Sequence, residues 1–245
     1  MTAYGMKDVG QVRSINQDYF FISESPVGNL PNLFMVADGM GGHKAGDLAS
    51  EYTVTMVREA VSKSMQTNPF QILKGAVQYA NQKLREKAEE SLEYAGMGTT
   101  LVIATVDEEK QTAYVVNIGD SRLYKVGDSI EQVTQDHSLV EEMVRLGELS
   151  REEARNHPDR NIITRAVGVS ERVEPDYFDT SLGEGECLLL CSDGLTSMLE
   201  DAEIEGIMKG QSTPKKKAQK LILAANKNGG KDNIAVIVIE QEKMR

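Results

Sequence analysis

Cysteine is scarce in this chain: Cys187 and Cys191, both in the run CLLLC, are the only two. If that run is a strand they stand roughly 13 Å apart, at about 3.3 Å per residue, beyond the reach of a disulfide. They read as buried thiols in a reducing compartment. Long apolar runs are missing as well. Stretches such as Ile234 to Ile239 fall far short of the roughly 20 residues that span a bilayer, and the opening MTAYGMKDVG holds no apolar core of signal-peptide length. Membrane insertion is therefore not expected, and a cytoplasmic location is. Basic charge is also short. The 27 Lys and Arg against 38 Asp and Glu leave a net charge of -11, which argues against nucleic acid or an anionic membrane as the main partner. No low-complexity tract, internal repeat or Pro/Gly/Ser-rich linker divides the 245 residues. Residues 1–245 are accordingly read as a single domain with a substantial core.

What is present centres on Leu33 to Gly46, LFMVADGMGGHKAG. An apolar run, Leu33 to Ala37, reads as a buried strand that stops on a carboxylate, Asp38. Gly39, Gly41, Gly42 and Gly46 follow, and the first three leave room for a ligand or metal to approach the backbone. A phosphate-binding P-loop fails here, because Gly46 is followed by Asp47 and Leu48 instead of Lys and Ser/Thr. A dinucleotide fingerprint starting at Gly39 fails too, because it needs glycine at Lys44. An aspartate at a strand end beside glycines, without a phosphate-loop lysine, suits a metal site better than a nucleotide cradle.

Strands are expected at Ala3 to Lys7, Asp18 to Ser23, Thr99 to Val106, Thr112 to Ile118, Arg122 to Val126, Val173 to Phe178, Glu186 to Cys191 and Ile234 to Glu240. A helix fits Ala45 to Met65, with Leu48, Tyr52, Val54 or Thr55, and Val61 near helical spacing. Asn68-Pro69 supplies a cap and first turn for a second helix to about Glu93, packed antiparallel to the first. A third runs from Thr213 to Asn228, closed by Gly229-Gly230. Thr134 to Val169 is a charged, helical excursion. Strands in clusters and helices in pairs indicate an α+β fold instead of a doubly wound sheet.

Three more apolar strands meet an aspartate flanked by glycine or asparagine: VVNIGDSR with Asp120, CLLLCSDGL with Asp193, and GGKDNIAVIVIE with Asp232. One such aspartate is an ordinary turn former. Four, counting Asp38, form a pattern, and carboxylate oxygens are what hard divalent cations such as Mg²⁺ and Mn²⁺ prefer. Two ions held by converging carboxylates activate water and neutralise a phosphoryl group. Near the N-terminus, GQVRSINQD offers Arg13 as a guanidinium clamp for phosphate and Asp18 as an outer ligand.

In this order, RxxNQD, VADGMGGH, GMGTT, IGDSR, QDHS, SDGL and KDNI resemble the metal-dependent protein serine/threonine phosphatases of the protein phosphatase 2C type, in their compact bacterial branch. The resemblance spans Thr2 to about Glu240. It implies a central antiparallel β-sandwich flanked by helix pairs, α-β-β-α in four layers, with a binuclear Mn²⁺ or Mg²⁺ centre at one end. By the same resemblance Asp38 bridges both ions, Gly39 offers its carbonyl, Asp193 and Asp232 hold the other ion, and Asp18 acts through metal-bound water. Asp120 and Asp193 share a third ion, and Arg13 binds phosphate. Residues 134–169 correspond to the flap beside the active site. The implied reaction is direct attack of metal-activated water on phosphoserine or phosphothreonine. The implied partners are phosphorylated proteins, among them a serine/threonine kinase and its targets, with the enzyme itself a monomer.

Two positions depart from the wider family. Met40 stands where many eukaryotic relatives carry a histidine proposed as general acid, and Ser197 where they carry a further metal-binding aspartate. His43, His137 and His157 read mainly as structural. A tyrosine-phosphatase loop is excluded, since six residues after Cys187 and Cys191 stand Asp193 and Ser197 where arginine is required. No Gly-Asn-His marks the other metallophosphatase class. The competing reading is a catalytically silent pseudophosphatase that docks phosphoproteins.

Overall fold

A computed structural model describes residues 1–42 and 45–241. Among the described residues, eleven strands form two antiparallel sheets. The first orders β1 (Thr2–Asp8), β11 (Ile234–Glu240), β10 (Cys187–Cys191), β7 (Arg122–Val126) and β8 (Ile130–Gln132). The second orders β2 (Asp18–Ser23), β3 (Leu33–Met40), β5 (Leu101–Asp107), β6 (Thr112–Ile118) and β9 (Asp176–Ser181), with the short β4 (Gly98–Thr99) paired to the end of β3.

Side chains alternate across a strand, and here each face has its own core. Phe34 and Val36 of β3 meet Val102 and Ala104 of β5, Leu188 and Leu190 of β10, and Ala235 and Ile237 of β11 in the interior of the sandwich. The alternate residues Leu33, Met35 and Ala37 turn outward onto α1 (Ala45–Lys63) and α2 (Pro69–Glu89). On the opposite sheet Leu189, Cys191, Val236 and Val238 turn onto α6 (Asp201–Met208) and α7 (Pro214–Lys227). The layers are therefore helix pair, sheet, sheet, helix pair.

Local chemistry agrees with these elements. Asn68 caps α2 by accepting from the Gln71 N–H, and Pro69 occupies its first turn. Thr213 and Pro214 do the same for α7. Some details differ from expectation. The α2 helix ends at Glu89, because Ser91 caps a separate 3₁₀ turn over Leu92–Tyr94. The strand expected from Val173 starts at Asp176: Val173 is instead drawn into the helix-side core, its carbonyl accepting from Gln78 Nε2 at 2.6 Å. In α1 the expected Val54 and Val61 are buried together with Ala49, Thr53 and Val57, while Leu48 and Tyr52 lie at the margin of that face.

The excursion at 134–169 carries α3 (Leu139–Arg145) and α4 (Arg151–Asn156), each opened by a serine cap. Its two ends are tied at a neck where Ser138 bridges Ile163 and Val167 bridges Thr99. No helix among the described residues is long and apolar enough to cross a membrane.

Candidate metal and phosphate site

Strand parity decides what projects at the end of the sandwich. Asp18 continues the inward row of Phe20 and Ile22, and Asp38 continues that of Phe34 and Val36. The register places Asp18 directly opposite Asp38 on the neighbouring strand. A like-charge pair in that relation is destabilising by itself. Asp193 enters from the other sheet, on the first residue of the one-turn helix α5 (Asp193–Thr196) that follows β10. Asp232 and Asn233 directly precede β11, and Asp120 follows β6 beyond Gly119.

Two of these aspartates are fixed by hydrogen bonds, Asp38 through its backbone and Asp18 through its carboxylate. The Asp38 N–H donates to Thr100 Oγ1 at 3.0 Å, and its carbonyl accepts from the Thr100 N–H at 2.9 Å and Thr99 Oγ1 at 2.8 Å. Asp18 Oδ2 accepts from Ser192 Oγ at 2.7 Å, while Ser192 Oγ accepts from the Ala235 N–H at 2.8 Å. A buried hydroxyl thereby links the two sheets at the site. Lys7 Nζ donates to the Asp18 carbonyl at 2.7 Å. Two glycines permit the close approaches: a Cβ on Gly39 would lie 1.8 Å from the Gly46 carbonyl oxygen, and one on Gly194 would lie 1.9 Å from that of Asn233.

The loop of Arg13 is threaded onto the site by Asn233. Its Oδ1 accepts from the Gln17 N–H at 2.8 Å, and its Nδ2 donates to the carbonyls of Val9 and Ile15, each at 2.9 Å. Arg13 itself donates from Nη2 to Asp232 Oδ2 at 2.8 Å, with its side chain 53 % exposed. The guanidinium head thus rests on the cluster's outermost carboxylate.

Electrostatically the cluster is under strain. Burial, then the neighbouring Asp193 and Asp232 charges, push Asp18 up to about 7 against the hydrogen bond from Ser192. Burial and Asp232 push Asp193 up to about 6, opposed by a hydrogen bond with Asp38. Asp38 and Asp120 are raised well above the usual carboxylate range, first by burial and then by their aspartate neighbours. Buried oxygens Asp18 Oδ1 and Asp193 Oδ1 have no hydrogen-bond partner. Among the described residues no three His, Cys, Asp or Glu side chains form a closed metal-holding group. The mutual repulsion and the unpartnered oxygens nevertheless describe a donor set that a hard divalent cation fits: buried oxygen ligands with excess negative charge.

Asp120 and Asp193 also line a cavity of about 1050 Å³ between the sandwich and the 134–169 excursion. Arg122, two residues on from Asp120, is clamped there by Asp136 through Nε at 2.9 Å and Nη2 at 2.7 Å, and its charge favours ionisation of both Asp120 and Asp193. Ser197 borders the same cavity, its N–H donating to the Asp193 carbonyl at 2.8 Å. Met40 lies over Gly98, where a Cβ would meet Met40 Cε at 2.7 Å. His137 is 4 % exposed. Its pKa is lowered by burial in spite of Asp176. His157 is half-buried at the end of α4, and His43 lies outside the described residues. Sequence reasoning gave no role to Ser192, Thr100 or Asn233, although each lies inside a recognised motif and beside a strand-end aspartate.

A family model, protein phosphatase 2C, matches residues 10–229. The chain is 40 % identical over 243 residues to serine/threonine phosphatase stp of Listeria innocua, covering 97 % of this chain and 95 % of that one. Among solved structures it resembles the S. agalactiae serine/threonine phosphatase, with TM-score 0.90 and 38 % identity over 98 % of this chain and 99 % of the other. It also resembles the catalytic domain of serine/threonine protein phosphatase PstP in complex with 2 manganese ions, with TM-score 0.86 and 30 % identity over 99 % and 98 % of the two chains.

Proposed function

The chain belongs to the protein phosphatase 2C family, and from that premise we propose that it is a metal-dependent protein serine/threonine phosphatase acting on phosphorylated proteins. One observation carries the assignment to this site: Asp18, Asp38, Asp120, Asp193 and Asp232 share one electrostatic environment at one end of the sandwich, with Arg13 bonded to the outermost of them. Residues 1–245 act as one catalytic domain, with 134–169 as its flap. We assign Asp38, the Gly39 carbonyl, Asp18, Asp193 and Asp232 to two Mn²⁺ or Mg²⁺ ions, and Asp120 with Asp193 to a third.

When bound, such ions supply Lewis acidity that makes water reactive at neutral pH and offsets phosphoryl charge. The chain's own residues do the rest. Arg13, already turned toward the carboxylates, presents two parallel N–H donors to phosphoryl oxygens. Ser192 and the Thr99–Thr100 pair hold Asp18 and Asp38 in fixed orientation, so little rearrangement is needed at the moment of reaction. A covalent phosphocysteine is excluded: Cys191 is fully buried and its thiol is pushed up to about 12 by burial. Met40 carries no exchangeable proton, and both ring nitrogens of His137 are engaged, so neither protonates the leaving oxygen. With the carboxylate set and Arg13 complete, a silent phosphoprotein binder is not favoured. A serine/threonine kinase and its targets in the cytoplasm are the partners the reading implies, with the phosphatase acting as a monomer.

Phosphate release from a phosphothreonine peptide, run with Mn²⁺, Mg²⁺ or EDTA, tests the reading. Release that requires metal and stops with EDTA is expected. No release with either metal from folded protein would overturn it and make phosphoprotein binding the next assay.

A further inference from the structure

We infer that His137 is a positioning residue that locks the Gly119–Asp120 turn to the neck of the flap, so that the Asp120 carboxylate is presented to the metal site only when the neck is closed. The inference rests on the reading of Asp120 as a metal ligand given above.

At Gly119 the turn is held chiefly by His137, while Ser121 Oγ, one residue beyond Asp120, bonds Thr100 Oγ1 at 2.7 Å. Gly119 adopts φ +97°, the left-handed region, and a Cβ there would lie 2.6 Å from Thr100 Cγ2. Its conformation is therefore open to glycine alone and must be fixed from outside. His137 supplies two bonds to this one residue: its ring Nδ1 accepts from the Gly119 N–H at 3.1 Å, and its own N–H donates to the Gly119 carbonyl at 2.9 Å. Asn117 Nδ2 adds a weaker bond to the same carbonyl at 3.2 Å.

The bond to Gly119 dictates the tautomer. Because Nδ1 accepts, the ring proton sits on Nε2, which donates to Asp176 Oδ2 at 3.0 Å. Arg165 then holds the other oxygen, Asp176 Oδ1, at 2.8 Å. The ring is thus oriented by a carboxylate behind it and aimed at a backbone amide in front, as carboxylates orient the histidines that ligate metals. Asp176 is itself fixed on β9, paired with Asn117 on the strand that leads into Gly119.

The same residue closes the neck. The His137 carbonyl accepts from the Thr164 N–H at 2.7 Å, the Leu139 N–H donates to the Ile162 carbonyl at 2.9 Å, and Ser138 bridges Ile163. Arg165, which completes the ring's support, lies on the returning segment of that neck. Displacing the neck would break the Thr164 bond and the Arg165–Asp176–His137 chain together, and with them the hold on Gly119.

The test is a set of variants: H137Q, H137N, D120N and H137Q/D120N. Mn²⁺ binding is read by titration calorimetry, thermal melting checks the fold, and peptide hydrolysis is measured against Mn²⁺ concentration. Gln reaches toward Asp176 but places no acceptor at the Nδ1 position, whereas the Asn amide oxygen occupies it. Expected is about tenfold weaker binding for H137Q, confined to the class of sites that D120N also weakens. H137N is expected within about threefold of wild type, and the double variant no worse than D120N, because His137 acts through Asp120. An isotherm for H137Q matching wild type would overturn the inference, as would losses that multiply in the double variant. If H137Q does not fold, H137N alone decides: near wild-type binding supports the inference and a large loss refutes it. An unchanged isotherm for D120N would overturn the ligand assignment and this inference with it. Absence of hydrolysis by wild-type protein would sink the phosphatase reading and leave the Mn²⁺ isotherms to judge His137.

Discussion

Replacing Asp18 by asparagine should make the metal-free protein more stable while weakening metal binding. Asp18 is 1 % exposed, faces Asp38 across the β2–β3 pair, and is raised from 3.8 to about 7. A carboxylate whose folded pKa lies above its unfolded value binds more protons folded than unfolded. Its contribution to stability is thus fully present below about pH 4 and is lost as pH rises toward 7. Three pH units at about 1.4 kcal/mol each set an upper bound of roughly 4 kcal/mol at pH 7.5. Sharing of protons with Asp38 and Asp193 reduces this to about 2–4 kcal/mol. Asparagine removes the charge and keeps an acceptor for Ser192 Oγ. In EDTA, urea denaturation should therefore show D18N more stable than wild type by about 2–4 kcal/mol at pH 7.5 and by little at pH 4. Adding Mn²⁺ should reverse the order at pH 7.5, since binding to the folded state stabilises it by mass action. A metal-free D18N that is less stable than wild type at pH 7.5, or a difference that does not change with pH, would refute the electrostatic reasoning.

Other perturbations separate further parts of the site. R13A should raise KM for a phosphopeptide by about tenfold or more through loss of the bidentate donor, with Mn²⁺ binding retained because the lost group is a cation bonded to Asp232; loss of metal by calorimetry would contradict this. G194A should cost about 2–3 kcal/mol or prevent folding, since its Cβ would meet the Asn233 carbonyl. G206A, exposed in α6 with nothing within 4 Å of the added carbon, should instead stabilise by about 0.5–1 kcal/mol; equal urea midpoints for the two would undo the packing argument. Shortening the flap between Ser138 and Ile163, which the neck pairing brings together, should reduce turnover of a phosphoprotein more than that of a small aryl phosphate, and equal losses on both would count against a substrate-selecting role.

Much of the architecture was legible because it is local. Continuous apolar runs in FMVA and in AVIVI mark strands with two covered faces, Asn68-Pro69 and Thr213-Pro214 announce their helices, and the order of short motifs identifies the family. Even the inward direction of Asp18 and Asp38 follows from the period of two, once Phe20, Phe34 and Val36 are known to face the sandwich. What blurred was the boundary set by distant partners, as at Val173, whose carbonyl is claimed by Gln78 on α2.

The sequence by itself therefore determined which residues end the buried strands and that those residues are acids. It could not determine which acids meet, because the meeting depends on strand order: β3 and β10 lie in different sheets, and Asp18 and Ser192 are bonded across 174 positions. Only the tertiary structure set Ser192 between the sheets, threaded the Arg13 loop onto Asn233, and turned His137 from a histidine at the edge of a charged excursion into the support of Gly119. Hydrogen bonds between residues far apart in the chain leave no periodicity to read, since each depends on where the whole sheet places its ends.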